Sequence, residues 1–332
     1  MERRIPTAPL REVNGCALDS RRLVCWGDGI VSFSIPGGDA RVLVPPGIQR
    51  FAEGGCITDV DGDGLADVVV AEHPPRKALA WYRAPGWNRF EIDTGVETHE
   101  ILAAEIHGRR GVLLVHKGGQ VRFYWLGAKW ASRDIYSFYT PSDQGGLIQA
   151  DIDGDGYKDI LCGNYWIHSP LQFELPWRLF AVNLWKETWD SANLRLAYSD
   201  LFGANSRNLI AGQVAVGNAR LAWFEKPADP RQLWVEHRIE NTLNLDGCGG
   251  LAVADFDGDG RPEILTAESA GRGRVFLFRA TSARQFSPRA ISAGTPLKRL
   301  WAVDITNDGR PDIVGIGASG IHYWENRQSI SK

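Results

Sequence analysis

The sequence predicts an all-β fold, a seven-bladed β-propeller of four-stranded antiparallel blades whose ring is closed by the N-terminal strand. Three observations predict it: an acidic motif recurs, its copies are about 47 residues apart, and short β-type segments in the same order flank each copy. The composition agrees, because 37 glycines and 13 tryptophans in 332 residues favour strands and turns over helical bundles.

The acidic motif sets the repeat. Residues 59–67, 151–159 and 255–263 are close copies, and residues 304–312 form a fourth copy with Thr306 in place of the second acid. Spacing and context place decayed copies at Asp19, Glu105 and Asp200. The anchors are therefore 19, 59, 105, 151, 200, 255 and 304, and seven units fill residues 1–332 as a single domain.

Each unit predicts four strands, a to d. In the sixth unit, β-branched and aromatic runs at 250–254, 263–267, 274–278 and 289–291 are separated by turns rich in Gly, Pro and Asp. The seventh unit stops after its third strand, and the start of the chain resembles the fourth-strand run at 236–239. We therefore expect residues 2–6 to complete the seventh blade and remove its open edge.

The acidic loops predict calcium sites. Acids at positions 1, 3, 5 and 9, with Gly at position 6, gather carboxylates whose repulsion a cation relieves, and hard oxygen ligands suit Ca²⁺. An EF-hand is excluded, because its bidentate acid stands at position 12 and helices flank it. Three to four structural ions are expected; metal-free turns are the alternative. The predicted ligands, including the position-7 carbonyls, are Asp59, Asp61, Asp63, Leu65, Asp67, Asp151, Asp153, Asp155, Tyr157, Asp159, Asp255, Asp257, Asp259, Arg261, Glu263, Asp304, Thr306, Asp308, Arg310 and Asp312.

With these loops the sequence resembles the FG-GAP or VCBS repeat family, whose units carry such loops inside propeller blades, as in integrin α-subunit heads. The resemblance implies the propeller fold and calcium. More narrowly, the runs at 70–73, 79–82 and 234–237 resemble repeats in the propeller part of aldos-2-ulose dehydratases, which implies sugar-dehydrating chemistry.

The b-to-c and d-to-a loops, opposite the acidic loops, carry a first group of candidate site residues. Histidine and glutamate together supply transition-metal ligands or an acid/base pair. An additional transition metal is therefore one prediction, and unrelated solvent-exposed residues are the alternative. The group is Glu72, His73, Arg76, Glu97, His99, Glu100, His116 and Lys117.

A second group is basic or aromatic. Arg272, Arg274, Lys298 and Arg299 form a basic arc suited to carboxylate or phosphate groups. Trp185 and Trp189 share one loop; we interpret them as a stacking platform for a sugar ring or as packing between blades.

Three functions follow. The first is a binding module that holds a saccharide or other polar small ligand, with Trp185, Trp189 and the basic arc. The second is a lyase acting on an oxidised sugar, with His73, His99 or His116 as base or metal ligand and Arg272 or Arg274 neutralising an enolate. The third is a protein-interaction scaffold. No hydrolase, zinc-protease or nucleotide-binding motif decides between them.

Charge and hydropathy exclude other partners. A net charge of −3 gives no basic field for nucleic acid, and no apolar run is long enough to span a membrane. The five cysteines are interpreted as small buried hydrophobes without a disulfide framework. Those thiols and the lack of a signal-peptide segment after Met1 favour the cytoplasm, whereas the calcium loops favour a secreted or periplasmic setting. The oligomeric state is not encoded in any motif.

Overall fold

The computed structural model describes residues 2–138, 143–185, 191–203, 207–214, 216–240, 242–282 and 285–327. Regular structure in these residues is β throughout and forms seven antiparallel blades, so the predicted seven-bladed β-propeller is confirmed. No described helix is long and apolar enough to cross a membrane. The chain divides into two compact units, Ala8–Ser34 with Asp39–Ala192, and Met1–Thr7 with Ile35–Gly38 and Asn193–Lys332.

The first unit holds blades 1 to 4, each in strand order a-b-c-d. Blade 1 is β2 (Val13–Asp19), β3 (Arg22–Gly27), β4 (Ile30–Ser34) and β5 (Ala40–Val44); blade 2 is β6 (Phe51–Thr58), β7 (Asp67–Glu72), β8 (Ala78–Arg83) and β9 (Asn88–Thr94). Blade 3 is β10 (Ile101–Ile106), β11 (Arg109–His116), β12 (Gln120–Leu126) and β13 (Trp130–Ser137). After the short β14 (Asp143–Gly145), blade 4 is β15 (Leu147–Ala150), β16 (Asp159–Cys162), β17 (Tyr165–His168) and β18 (Arg178–Ala181).

The second unit holds blades 5 to 7. Blade 5 is β19 (Ser191–Ser199), β20 (Asn208–Gln213), β21 (Leu221–Glu225) and β22 (Val235–Glu240); blade 6 is β23 (Gly250–Ala254), β24 (Glu263–Ala267), β25 (Val275–Ser282) and β26 (Gln285–Ser292). Blade 7 is β27 (Leu297–Val303), β28 (Asp312–Gly317) and β29 (Gly320–Trp324), completed by β1 (Glu2–Ile5).

The N-terminal strand completes blade 7, as predicted. β1 pairs antiparallel with β29 from Glu2 opposite Trp324 to Ile5 opposite Ile321. Ile5 is buried, and the Glu2 carboxylate lies 2.8 Å from Nδ1 of His322. Backbone pairing, apolar burial and this polar contact together hold the first residues of the chain against its last strand.

The middle strands of blade 2 show how the core forms, because blades 1 and 3 pack on the two faces of this blade. Every residue of β7 is buried, whereas β9 at the outer edge is mostly exposed. Val68 and Val70 of β7 join Trp26 and Phe51 in one apolar cluster between blades 1 and 2. This double burial explains why strand b is an apolar run without alternation.

One cysteine prediction is wrong. Cys16 and Cys25 stand directly opposite each other on β2 and β3 and form a disulfide. The cysteines at 56, 162 and 248 are buried and form no disulfide within the described residues, in agreement with the prediction of small buried hydrophobes.

Candidate functional site: the acidic loops

The a-to-b loops of blades 2, 4 and 6 share one hydrogen-bonded frame. In blade 2, Asp59 at position 1 accepts the backbone N–H of Gly62 at 2.8 Å and of Gly64 at 3.0 Å. Both glycines have positive φ, 78° and 83°, a conformation that side chains disfavour. Asp151 and Asp255 accept the matching pairs of N–H groups. The first acid therefore folds the loop.

The acid at position 9 is buried at the start of strand b. In blade 2, Asp67 accepts the N–H of Val60 at 3.2 Å and of Ala84 at 2.8 Å. Burial raises the pKa of Asp67 and of Glu263, and raises that of Asp159 to about 6. These carboxylates are withdrawn from water, which costs free energy unless hydrogen bonds or a cation compensate.

The acids converge closely enough to share an ion. Carboxylate oxygens lie within 4.8 Å of one another in the groups Asp59, Asp61 and Asp67; Asp151, Asp153 and Asp159; and Asp255, Asp257 and Asp259. An oxygen-only donor set of this density fits Ca²⁺.

The blade 7 loop has a related frame, with one acid fewer and with N–H donors at positions 5 and 6 instead of 4 and 6. Asp304 accepts the N–H groups of Asp308 and Gly309, and Asn307 takes the positive φ of 63° that Gly has elsewhere. Thr306 donates to Asp312 at 3.4 Å and adds no carboxylate. Within the described residues this loop brings no three metal-ligating side chains together.

Each of the three dense loops has a basic side chain of strand c beside its acids. Arg83 Nε lies 2.6 Å from Asp61, and Arg279 lies 2.8 Å from Asp257 and 2.7 Å from Asp259. His168 takes this place in blade 4, with Nε2 3.1 Å from Asp153. Sequence reasoning missed these partners, although each directly follows the strand c residue that pairs with position 10 of the motif.

At the other end of blade 2, Glu72 is fully paired. Its buried carboxylate receives two guanidinium bonds from Arg89, at 2.8 and 2.7 Å, and the Tyr82 hydroxyl at 2.8 Å. Arg76 lies farther away, at 3.9 Å. Glu72 thus ties strands b, c and d of its blade together.

The three candidate histidines have separate surroundings. His73 is exposed; His99 is 72% exposed and lies 3.8 Å from Glu53. His116 is buried, and burial together with Arg122 and Lys117 lowers its pKa. They do not meet as a metal group among the described residues.

Two glutamates of the same group have clear partners. Glu97 pairs with Lys77 at 2.8 Å, which lowers the pKa of Glu97, and both side chains are about half exposed. Glu100 accepts the backbone N–H of Gly146 at 2.7 Å. Glu97 therefore faces solvent, whereas Glu100 braces a neighbouring loop.

In the basic arc, Arg274 is held inside its blade by hydrogen bonds, whereas the other three residues lie at or near the surface. Arg274 is tied to the buried Glu268 and donates to the carbonyls of Leu243 and Asn244. Arg272 and Lys298 are exposed, and Arg299 is half-buried.

Of the two tryptophans in the tryptophan loop, only Trp185 belongs to the described residues. Trp185 is 3% exposed, so its ring packs inside the fold, and Trp189 lies outside the described residues.

Sequence reasoning also missed a cavity of about 240 Å³ between blades 1 and 2, beside the acidic loop of blade 2. Its polar lining includes Asp19, Arg22, Ser32 and Arg41, and Trp87 stands among its apolar residues.

Comparisons with known proteins agree with this architecture. Residues 255–315, which include the blade 6 loop, match the FG-GAP-like repeat family, so the resemblance is confirmed there. No curated protein matches the sequence.

Solved structures are similar at low identity. The extracellular domain of the putative one-component system BT4673 from B. thetaiotaomicron has a TM-score of 0.63 at 15% identity over 99% of this chain and 40% of that one. A second structure, described as the extracellular domain of the putative hybrid two-component system BT4673, gives 0.62 at 14% identity, again over 99% and 40%. A chain of a Mitotic Checkpoint Complex gives 0.60 at 11% identity over 98% of this chain and 93% of that one. This chain thus spans less than half of the bacterial relatives, and the likeness concerns the fold.

Proposed function

We propose that this seven-bladed β-propeller, with its FG-GAP-like repeat at residues 255–315, is a calcium-stabilised binding module. One observation carries the calcium part: each of three a-to-b loops brings three carboxylates within 4.8 Å of one another, on a frame whose N–H to carboxylate distances are nearly the same. A propeller whose blades hold rigid loops at both strand ends suits a binding role.

Charge supports the ion. Besides the position-1 acid that folds each loop, the acids at positions 3 and 5 each accept a loop N–H from the residue two positions on. A basic side chain of strand c lies beside these acids: Arg83, His168 or Arg279. Ca²⁺ there would be held by the acids at positions 1, 3, 5 and 9, and it would supply charge neutralisation.

For the ligand we propose a saccharide or other polar small molecule at the loops opposite the acidic ones. The exposed groups Glu97 and His99, both on the loop between blades 2 and 3, support this, because a carboxylate and an imidazole there face solvent. Trp185 contributes no open ring face, and Trp189 lies outside the described residues.

The two parts are tested separately. Calorimetric titration of the EDTA-treated protein with CaCl₂ tests the ions, and Asp61→Asn with Asp63→Asn should remove one site. A saccharide array probed with the calcium-loaded protein tests the ligand. Signals should fall in Glu97→Gln and His99→Ala and stay unchanged in Arg110→Gln, an exposed change elsewhere in blade 3. Absence of any saturable saccharide signal would reject the ligand while leaving the calcium result intact.

A further inference from the structure

The cavity between blades 1 and 2 arises where a short turn meets a long loop. Blade 1 connects β2 to β3 through Ser20 and Arg21 alone, whereas residues 59–66 connect β6 to β7 in blade 2. The cavity lies between these two connections, and its lining is mostly apolar. The apolar members are Val24, Leu43, Ile57, Leu65, Ala66, Val68, Ala84, Pro85 and Trp87.

Blades 3 and 4 repeat this arrangement. The connection from β10 to β11 is again two residues, His107 and Gly108, and the next blade again has a long acidic loop. Strand pairing makes Arg109 the equivalent of Arg22, since each starts strand b opposite the last residue of strand a. Ser20 and His107 match too, with φ of 52° and 47°. The chain therefore contains an internal comparison.

In blades 3 and 4 the equivalent space is filled by aromatic rings. His107 stacks on Tyr157 with ring centroids 5.0 Å apart, and Tyr157 holds loop position 7, where blade 2 has Leu65. Phe173 packs against His107 and Trp125, and Trp125 stands where blade 1 has Ser32. At the matching positions blades 1 and 2 have the smaller side chains of Ser20, Ser32 and Leu65, and the space beside them is open.

The contacts of Arg109 in the filled recess show which chemical groups pair with this arginine. The Arg109 guanidinium lies 4.5 Å from the centre of the Phe173 ring, and its NH2 group lies 3.0 Å from the carboxylate of Glu174. An aromatic ring and a carboxylate from one segment thus satisfy one guanidinium.

In the open recess the matching arginine has neither group. Arg22 donates to the Ser32 hydroxyl at 2.7 Å and to its carbonyl at 3.3 Å. Within the part of the chain that the structure describes, neither Arg22 nor Arg41 has a carboxylate partner in an ion pair. Two guanidiniums against the single carboxylate of Asp19 leave the recess with one uncompensated positive charge.

We propose that the recess between blades 1 and 2 is a binding site for a small aromatic carboxylate. The carboxylate pairs with Arg22, and the ring lies against Trp87 and the apolar lining. A volume of about 240 Å³ suits a single-ring molecule, and the single excess positive charge suits a monoanion. The site goes beyond the function proposed above and does not require calcium.

Calorimetric titration of the whole protein with phenylacetate tests the site, with phenylacetamide, acetate and glucuronate as comparison probes. Phenylacetate should bind at one site, about ten-fold or more tighter than the neutral amide or the ring-free acid, because a charged hydrogen-bond pair and ring burial both contribute. Glucuronate binding as tightly as phenylacetate would overturn the assignment of an aromatic ring.

Two variants localise the binding. Arg22→Gln should weaken phenylacetate binding about ten-fold or more, and Ser20→His with Leu65→Tyr, which copies the filled recess, should abolish it. Both changes are at exposed positions, and circular dichroism verifies folding. Arg109→Gln, the equivalent change in blade 3, should leave binding unchanged. The proposal is rejected if phenylacetate does not bind. It is also rejected if Arg22→Gln and the filled variant bind phenylacetate as tightly as the unchanged protein does.

Discussion

Arg83 at the end of β8 places its Nε 2.6 Å from Asp61, so the acidic loop of blade 2 contains its own counter-ion. Arg279 does the same in blade 6, and the imidazole of His168 stands at this place in blade 4. In blade 7, where Thr306 replaces the acid, the corresponding residue beside Trp324 is the acidic Glu325. Cation and acid therefore change together between blades, which indicates that charge balance shapes each loop.

We expect Arg83→Gln to strengthen calcium binding in blade 2, because the guanidinium and the ion compete for the same carboxylates. The pair is partly exposed, so the gain should be about two- to five-fold in the dissociation constant. Calorimetry against CaCl₂ measures it, with Arg110→Gln as the control. A weaker site in Arg83→Gln would show instead that the arginine helps to build the loop.

Ile5→Ala should destabilise the protein by about 2–4 kcal/mol, because it opens a cavity where β1 joins β29. Denaturant unfolding measures the change in free energy. Arg3→Ala, on the same strand but exposed, should be close to neutral. Equal losses for the two variants would mean that side-chain burial does not hold the strand.

Glu268→Gln should cost about 3 kcal/mol at neutral pH, because it leaves Arg274 partly buried beside a neutral group. Burial raises the pKa of Glu268, but hydrogen bonds from Arg274 outweigh it and hold that pKa below its usual range. The stabilisation is therefore present above the ordinary glutamate pKa and is lost as the pH falls through the lowered value.

Denaturant unfolding of both proteins between pH 7 and pH 3 tests this dependence. The difference in unfolding free energy between wild type and Glu268→Gln should shrink as the solution becomes more acidic. A difference that stays constant with pH would contradict a role for the carboxylate charge.

Phenylacetate and calcium should influence each other in blade 2, since Leu65 and Ala66 belong to the acidic loop and also line the cavity. Linkage requires that calcium change the affinity for phenylacetate by the same factor by which phenylacetate changes the affinity for calcium. Phenylacetate titrations with and without CaCl₂ measure the factor. Asp63→Asn should abolish the coupling, whereas Asp259→Asn in blade 6 should preserve it.

The sequence predicted the blades well, because the acidic motif marks the a-to-b turn and each strand follows at a fixed distance. The anchors at 19 and 105, decayed beyond any metal pattern, still mark two-residue turns in the structure. Hydrophobic runs and turn residues depend on the local sequence alone. A single sequence is therefore enough to predict the strands and the turns between them.

Partners across strands were harder to predict. The sequence predicts Glu72 and Arg274 as loop residues that offer charge to a ligand. In the structure Arg89 of β9 neutralises Glu72, and Glu268, in the loop after β24, neutralises Arg274. The Cys16–Cys25 bond depends likewise on register, which sets residues nine apart directly opposite each other. The open recess could not be predicted from the sequence, because only the pairing of strands a and b shows that Ser20 and His107 occupy equivalent positions.

The central claim is tested most directly by measuring bound calcium in the purified protein after dialysis against EDTA and reloading with CaCl₂. Elemental analysis should find at least three equivalents, one each for the loops at 59–67, 151–159 and 255–263, and a fourth if the blade 7 loop also fills. Thermal unfolding should shift upward on reloading. A protein that takes up no calcium and unfolds at the same temperature with and without it would contradict the account of the acidic loops.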